Sequence, residues 1–182
     1  MQSQARLPRI QRPYFRNGPA HRAGADVSFG DIVKIFDFRR IKIGRWVTPA
    51  ETQLAANLFF DALCDLQQLL QVPAQVISLN GNLALTYGIG GRPGVCAHYQ
   101  PQGRILALAK NAGGGSLAHE WMHAFDHYIA QKMFQGEVSA GQFASRTWLT
   151  QQPIKAHPLN TLLDQAFAKL FVSDDGCHAS HF

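Results

Sequence analysis

Charge is scarce in this chain. Only 16% of its 182 residues are Asp, Glu, Lys or Arg, and glutamate occurs three times. With 46% of residues hydrophobic, that scarcity excludes a solvated, disordered polymer and points to a folded, core-forming chain of one-domain length. Cysteine is scarcer still. Cys64, Cys96 and Cys177 are odd in number, far apart and in no C-x-x-C pair, so no disulfide framework is expected and a reducing compartment fits. Long apolar runs are also missing: none approaches the roughly 20 residues of a membrane span. The opening "MQSQARLPRIQRPYF" is basic, without an apolar stretch or a small-residue cleavage site. A soluble, cytoplasmic protein with no membrane partner is expected. No internal repeat is visible.

What charge there is lies unevenly. Residues 1–45 hold ten Lys/Arg and three Asp, a net of +7, while residues 46–182 hold seven Lys/Arg and nine Asp/Glu, a net of −2. Residues 1–26 carry Pro8, Pro13, Gly18, Pro19 and Gly24 without apolar periodicity and are expected as a flexible basic arm. Such an arm suits either solubility or contact with nucleic acid, with Tyr14 and Phe15 as the available stacking rings.

The rest reads as an α+β domain over residues 27–172 with a polar tail at 173–182. A short helix near Asp31–Phe36 and a strand near Arg40–Trp46 come first. "TPAE" then starts a long helix, with Thr48 as N-cap, Pro49 at the first helical position and Glu51 closing a capping box. Leu54, Leu58, Ala62, Leu66 and Leu69 recur at helical spacing and predict its buried face; Val72-Pro73 ends it. "AQVISLNG" is expected as a buried strand closed by a turn at Asn80-Gly81. "LALTYGIGG", "VCAHYQ" and "ILALAK" supply further strands, giving a small, mostly antiparallel sheet packed on helices. Cys96 and His98 are read as neighbours on one strand face. After the loop "NAGGG", Ser116 is expected to cap another helix. A loop and short helix follow, then an amphipathic helix at 160–172 with Leu162, Leu163, Ala166, Phe167 and Leu170 on its buried face.

The chemistry concentrates in "GGGSLAHEWMHAFDH", residues 113–127. His119 and His123 stand four apart, so on a helix both imidazoles project from one face and can share one Zn²⁺. Glu120 lies about 100° round the helix from His119, placed to take a proton from water rather than to bind the metal. This is the H-E-x-x-H arrangement of two ligands and one general base. With eight His and only three Glu in the chain, chance is a poor explanation; the competing reading is a helix with His and Glu on its solvent face. His127 lies about 12 Å along the axis from His119, too far to share one tetrahedral ion. Asp126 suits a carboxylate that orients an imidazole, and Trp121, Met122 and Phe125 suit core packing. A third ligand must come from elsewhere; Glu137, His157, Asp164 and the Asp174-Asp175 pair are the candidates.

The stretch "LALTYGIGGRPGVCAHYQPQGRILALAKNAGGGSLAHEWMHAFDHYIA" resembles the bacterial CLCA_X family. It is also similar to the large polyvalent protein-associated domains of phages and conjugative elements. The resemblance to CLCA_X extends upstream through "FDFRRIKIGRWVTPAETQLAANLFFDALCDLQQLLQVP" and covers most of residues 28–172. It implies a zincin-like fold and carries two metal-binding histidines and a catalytic glutamate onto His119, His123 and Glu120. It brings no substrate with it. It also implies a further acidic helix, of the kind "E.FARAFE", as the source of a third ligand; here "SDDGCHASHF" stands in that place.

Three functions are therefore carried forward. The first is a zinc-dependent peptidase domain whose extended substrate pairs with a strand edge in residues 83–110. With two assigned ligands, weak or absent turnover is expected of it. The second is a zincin scaffold that binds without turnover, serving a phage or mobile element. The third is a nucleic-acid accessory protein working through the basic arm.

Overall fold

The computed structural model describes residues 16, 18–89, 95–110, 112 and 115–172. Among these described residues, six helices and four strands form a mixed α+β architecture with one small sheet. The described residues fall into two compact units, divided along the chain between Ala124 and Phe125.

The first unit opens with α1 (Phe29–Phe36), where Ser28 and Asp31 form a reciprocal capping box. Asp37 leaves the helix in the left-handed conformation at φ 58° and leads to β1 (Arg40–Ile43). The strand is shorter than the expected Arg40–Trp46, because the Val47 N–H turns back to the Gly44 carbonyl at 3.1 Å. Helix α2 (Pro49–Leu70) begins as the sequence predicts, with Thr48 and Glu51 capping each other. Gln71, left-handed at φ 53°, ends it.

Several expectations for this unit are corrected. "AQVISLNG" is no strand: Ala74–Ile77 form the short helix α3, and Leu79 and Asn80 turn left-handed behind it. Pro73, directly before α3, presets a helical start, and the Ser78 hydroxyl accepts the Gly81 N–H, so turn chemistry outweighs the β-branched Val76 and Ile77. The buried face of α2 is likewise displaced. Ala55, Ala56, Phe59, Leu63 and Leu66 are buried, whereas Leu54 is exposed and Leu69 is 79% exposed.

The sheet is completed by β2 (Ala84–Tyr87), β3 (Ala97–Gln100) and β4 (Ile105–Leu108) in the order β1-β2-β4-β3. β1 pairs with β2 and β2 with β4 in parallel; only β3 and β4 are antiparallel. The expectation of a mostly antiparallel sheet is thus overturned. Parallel neighbours need a crossover rather than a hairpin, and α2 with α3 supplies it between β1 and β2. Tyr87 packs its ring against Phe29 and Phe59, which locks α1 and α2 to one sheet face. Burial pushes its phenol pKa up to about 12.

His21, Arg22 and Asp26, expected within a flexible arm, are held on α2. Asp61, 2% exposed, accepts the His21 backbone N–H at 2.8 Å and Arg22 Nε at 3.1 Å. Asp65 takes Arg16 through both carboxylate oxygens, together with His21 Nε2. Arg16 holds the Asp65 carboxyl below its ordinary range. Residues 1–15 lie outside the described residues, as does the tail at 173–182.

The second unit contains the C-terminal part of α4 (Ser116–Met133), then α5 (Ala144–Leu149) and α6 (Pro158–Phe171). Ile129, Met133, Phe134, Ala144, Phe167 and Phe171 make its core. The buried face of α6 is also narrower than expected: Phe167 is buried and Leu163 packs beside it, but Leu162, Ala166 and Leu170 face solvent.

Candidate metal centre

The motif helix α4 is fixed from its first turn. Gly115, at φ +87°, offers the carbonyl that accepts the His119 N–H at 2.9 Å, so Ser116 is the first helical residue rather than the expected cap. Trp121 is buried and donates its Nε1–H to the Ile77 carbonyl at 2.7 Å. Leu117 and Ala124 are buried on the same side. At about 100° per residue, those anchors rotate His119 outward, leave His123 half-buried and turn Glu120 inward to 7% exposure.

The imidazoles of His119 and His123 converge. Their Nε2 atoms lie 3.1 Å apart, and the ring planes stand at 86°. Two nitrogens each about 2.05 Å from one zinc at the tetrahedral angle are about 3.3 Å apart. The separation in the pair is thus close to that of two nitrogens sharing one ion. The same separation serves an N–H···N hydrogen bond when no ion is shared. Among the described residues, the Glu120 carboxylate takes no hydrogen bond, and its oxygens keep contact with solvent. It is a carboxylate at the rim of the core with its lone pairs uncommitted.

The remaining candidates have other partners. Asp126, expected behind an imidazole, accepts the Ser145 N–H at 2.8 Å and the Ser145 hydroxyl at 2.5 Å, which ties α4 to the start of α5. His127 is buried, with Nε2 2.7 Å from the Ala140 carbonyl. Asp164 accepts the Trp148 indole N–H at 2.6 Å. The Nδ1 of His157 caps α6 by accepting the Leu159 N–H. Glu137 is exposed on the connection from α4 to α5. Asp174 and Asp175 lie outside the described residues. Among the described residues, no group of three or more His, Cys, Asp and Glu side chains is arranged to hold a metal ion.

Two features of the surroundings bear on binding. Among the described residues β3 pairs only with β4 and stands at an edge of the sheet, the kind of position to which extended peptides can add in general. Its His98 and Gln100, two apart on one face, meet at 2.8 Å, while Cys96 precedes the strand. Beside the first turn of α4 is an apolar cleft of about 210 Å³ lined by Leu58, Ala62, Leu66, Leu69 and Ala118. Four of the five residues expected on the buried face of α2, Leu58, Ala62, Leu66 and Leu69, thus line this cleft, and of these Leu66 is buried as expected. Arg16 and Asp65 also line it. Sequence reasoning missed that ion pair, although two aspartates four apart on an apolar helix, Asp61 and Asp65, were its visible signal.

No protein-family model, curated protein or solved structure matches the chain.

Proposed function

We propose that the chain is a zincin-like metallohydrolase acting on peptide bonds, with His119 and His123 as zinc ligands and Glu120 as general base. The observation that carries this reading is the 3.1 Å approach of two Nε2 atoms beside a glutamate with uncommitted oxygens. Zinc held there supplies Lewis acidity, lowering the pKa of a coordinated water to about 7 and polarising a carbonyl. The work of this chain's own residues is then definite. His119 and His123 present lone pairs from one helix face at a spacing set by the helix. Glu120, one position on, accepts the proton of the attacking water and returns it to the leaving amine. The β3 edge holds an extended peptide through backbone hydrogen bonds.

A second reading, a scaffold that binds without turnover, is favoured by one observation. No third ligand joins the pair among the described residues, and hydrolytic zinc sites normally have three. One experiment separates the two. Purified protein is expected to hold about one zinc, to lose it in His123→Ala, and to keep it in His127→Ala, whose ring is committed to Ala140. Zinc-dependent peptide cleavage that vanishes in Glu120→Gln, with metal retained, establishes the hydrolase. Metal retention without cleavage establishes the binding scaffold, and equal metal loss in both histidine variants would sink the ligand assignment.

A further inference from the structure

The opposite edge of the sheet has a different character. β1 runs Arg40-Ile41-Lys42-Ile43 and is followed by Gly44-Arg45-Trp46-Val47. Arg39, Arg40, Lys42 and Arg45 are exposed, and among the described residues none of them is in an ion pair. Trp46 is 82% exposed. An indole left in water gives up the burial that normally decides where tryptophan goes, and the exposed Arg45 stands directly before it in the chain.

The presentation of that indole is built. Gly44 donates its N–H to the Tyr87 carbonyl at 2.8 Å and accepts the Val47 N–H, closing the turn on β2. A Cβ on Gly44 would meet the Gly88 carbonyl oxygen at 2.0 Å, so only glycine lets the turn lie this close. Lys110 holds the Trp46 carbonyl at 3.1 Å and is itself paired with Glu51 at 2.7 Å. The backbone of Trp46 is therefore fastened from behind, while its ring projects outward. Arg40 and Lys42 alternate onto one face of the strand about 6.6 Å apart. That step is similar to the one between successive phosphates of an extended single strand.

We propose that β1 and the Gly44–Val47 turn form a binding site for single-stranded nucleic acid, with a base stacked on Trp46 and phosphates held by Arg40, Lys42 and Arg45. A basic track with an aromatic platform is the combination such ligands require, since every base has a stacking face and every link a charge. Arginine outnumbers lysine along the track, which suits bidentate phosphate contacts. The turn offers a membrane a single indole with a guanidinium next to it, a poor wedge for an apolar phase. The site is on the edge opposite β3 and does not depend on the metal pair.

The test uses the full chain and an oligothymidylate of about 12 nucleotides, a length within the usual range of single-strand sites. Trp121 is buried and Trp148 hydrogen-bonded to Asp164, so quenching of intrinsic fluorescence reports chiefly on Trp46. Binding is expected to quench the fluorescence and to weaken steeply with salt. Trp46→Ala should lose about tenfold in affinity. The combined Arg40→Ala, Lys42→Ala and Arg45→Ala variant should lower the salt slope by about 2. An unchanged thermal transition shows that the variants are folded, and the milder Trp46→Phe, which keeps a stacking ring, should retain most of the affinity. Three outcomes would overturn the proposal: no quenching; wild-type binding by the triple variant with loss instead on replacing Arg6, Arg9 and Arg12; or preference for anionic lipid vesicles over the oligonucleotide.

Discussion

Glu51 shows how much a single carboxylate does here. It closes the α2 capping box by accepting the Thr48 N–H at 2.8 Å and pairs with Lys110, the residue that also fastens the Trp46 carbonyl. The Lys110 hydrogen bond comes first in holding its pKa down, from an ordinary 4.5 to about 2. A carboxyl whose folded pKa is depressed adds stability above its unfolded pKa and loses it as the pH falls through the folded value. The thermal midpoint is therefore expected to decline on acidification between about pH 4.5 and 2. Glu51→Gln should be less stable than the parent at neutral pH and should converge with it near pH 2. Parallel curves across that window would show that Glu51 contributes nothing through its charge. Cys64 is shifted the other way: burial pushes its thiol pKa up, which favours the protonated form.

Helix α6 shows at the level of an element why periodicity alone mislocates a face. Its apolar residues recur often enough to draw two stripes. The stripe that is buried runs through Leu163, Phe167 and Phe171, where rings from α6 meet Trp148 of α5. The other, Leu159, Leu162, Ala166 and Leu170, faces water, with Leu162 61% exposed. Phe167→Ala is expected to cost about 3–4 kcal/mol in chemical denaturation, as for a ring removed from a packed cluster. Leu162→Gln should change stability by no more than about 0.5 kcal/mol. Equal costs would mean that the outer stripe is covered after all. The same ambiguity explains α2, where Leu58, Ala62 and Leu69 line a cleft and only Leu66 of that row is buried.

At the scale of the molecule, the basic N-terminal stretch is divided by what it touches. A deletion beginning at Val27 removes His21 and Arg22, both donors to the buried Asp61 carboxylate. It also removes Arg16 from Asp65. Losing hydrogen bonds to a charged group costs roughly 1.5–3 kcal/mol each, offset here because the deletion lets water reach Asp61. We expect the thermal midpoint to fall by roughly 5–10 °C. A chain beginning at Arg16 keeps every one of these bonds and should melt with the parent. Identical midpoints for all three proteins would show that the contacts on α2 carry no net stability.

The sequence by itself determined the features that are local in chain distance. The Thr48–Glu51 capping box, the Pro49 start, the helical run of residues 116–133 and the i, i+4 placement of His119 and His123 all follow from a few neighbouring residues. Long-range choices were not legible there. Whether β1, β2 and β4 lie parallel depends on where a crossover packs, and the four-residue strands carry no mark of their partners. Which apolar stripe of α2 or α6 is buried depends on the surface that arrives opposite it. Asp126 could be placed on the histidine side of its helix from spacing alone, but its partner, Ser145, is 19 residues away and only folding brought it there. Convergence of the imidazoles is helical geometry and is written in the sequence. Completion of a ligand set joins elements remote in the chain, so only tertiary packing decides it.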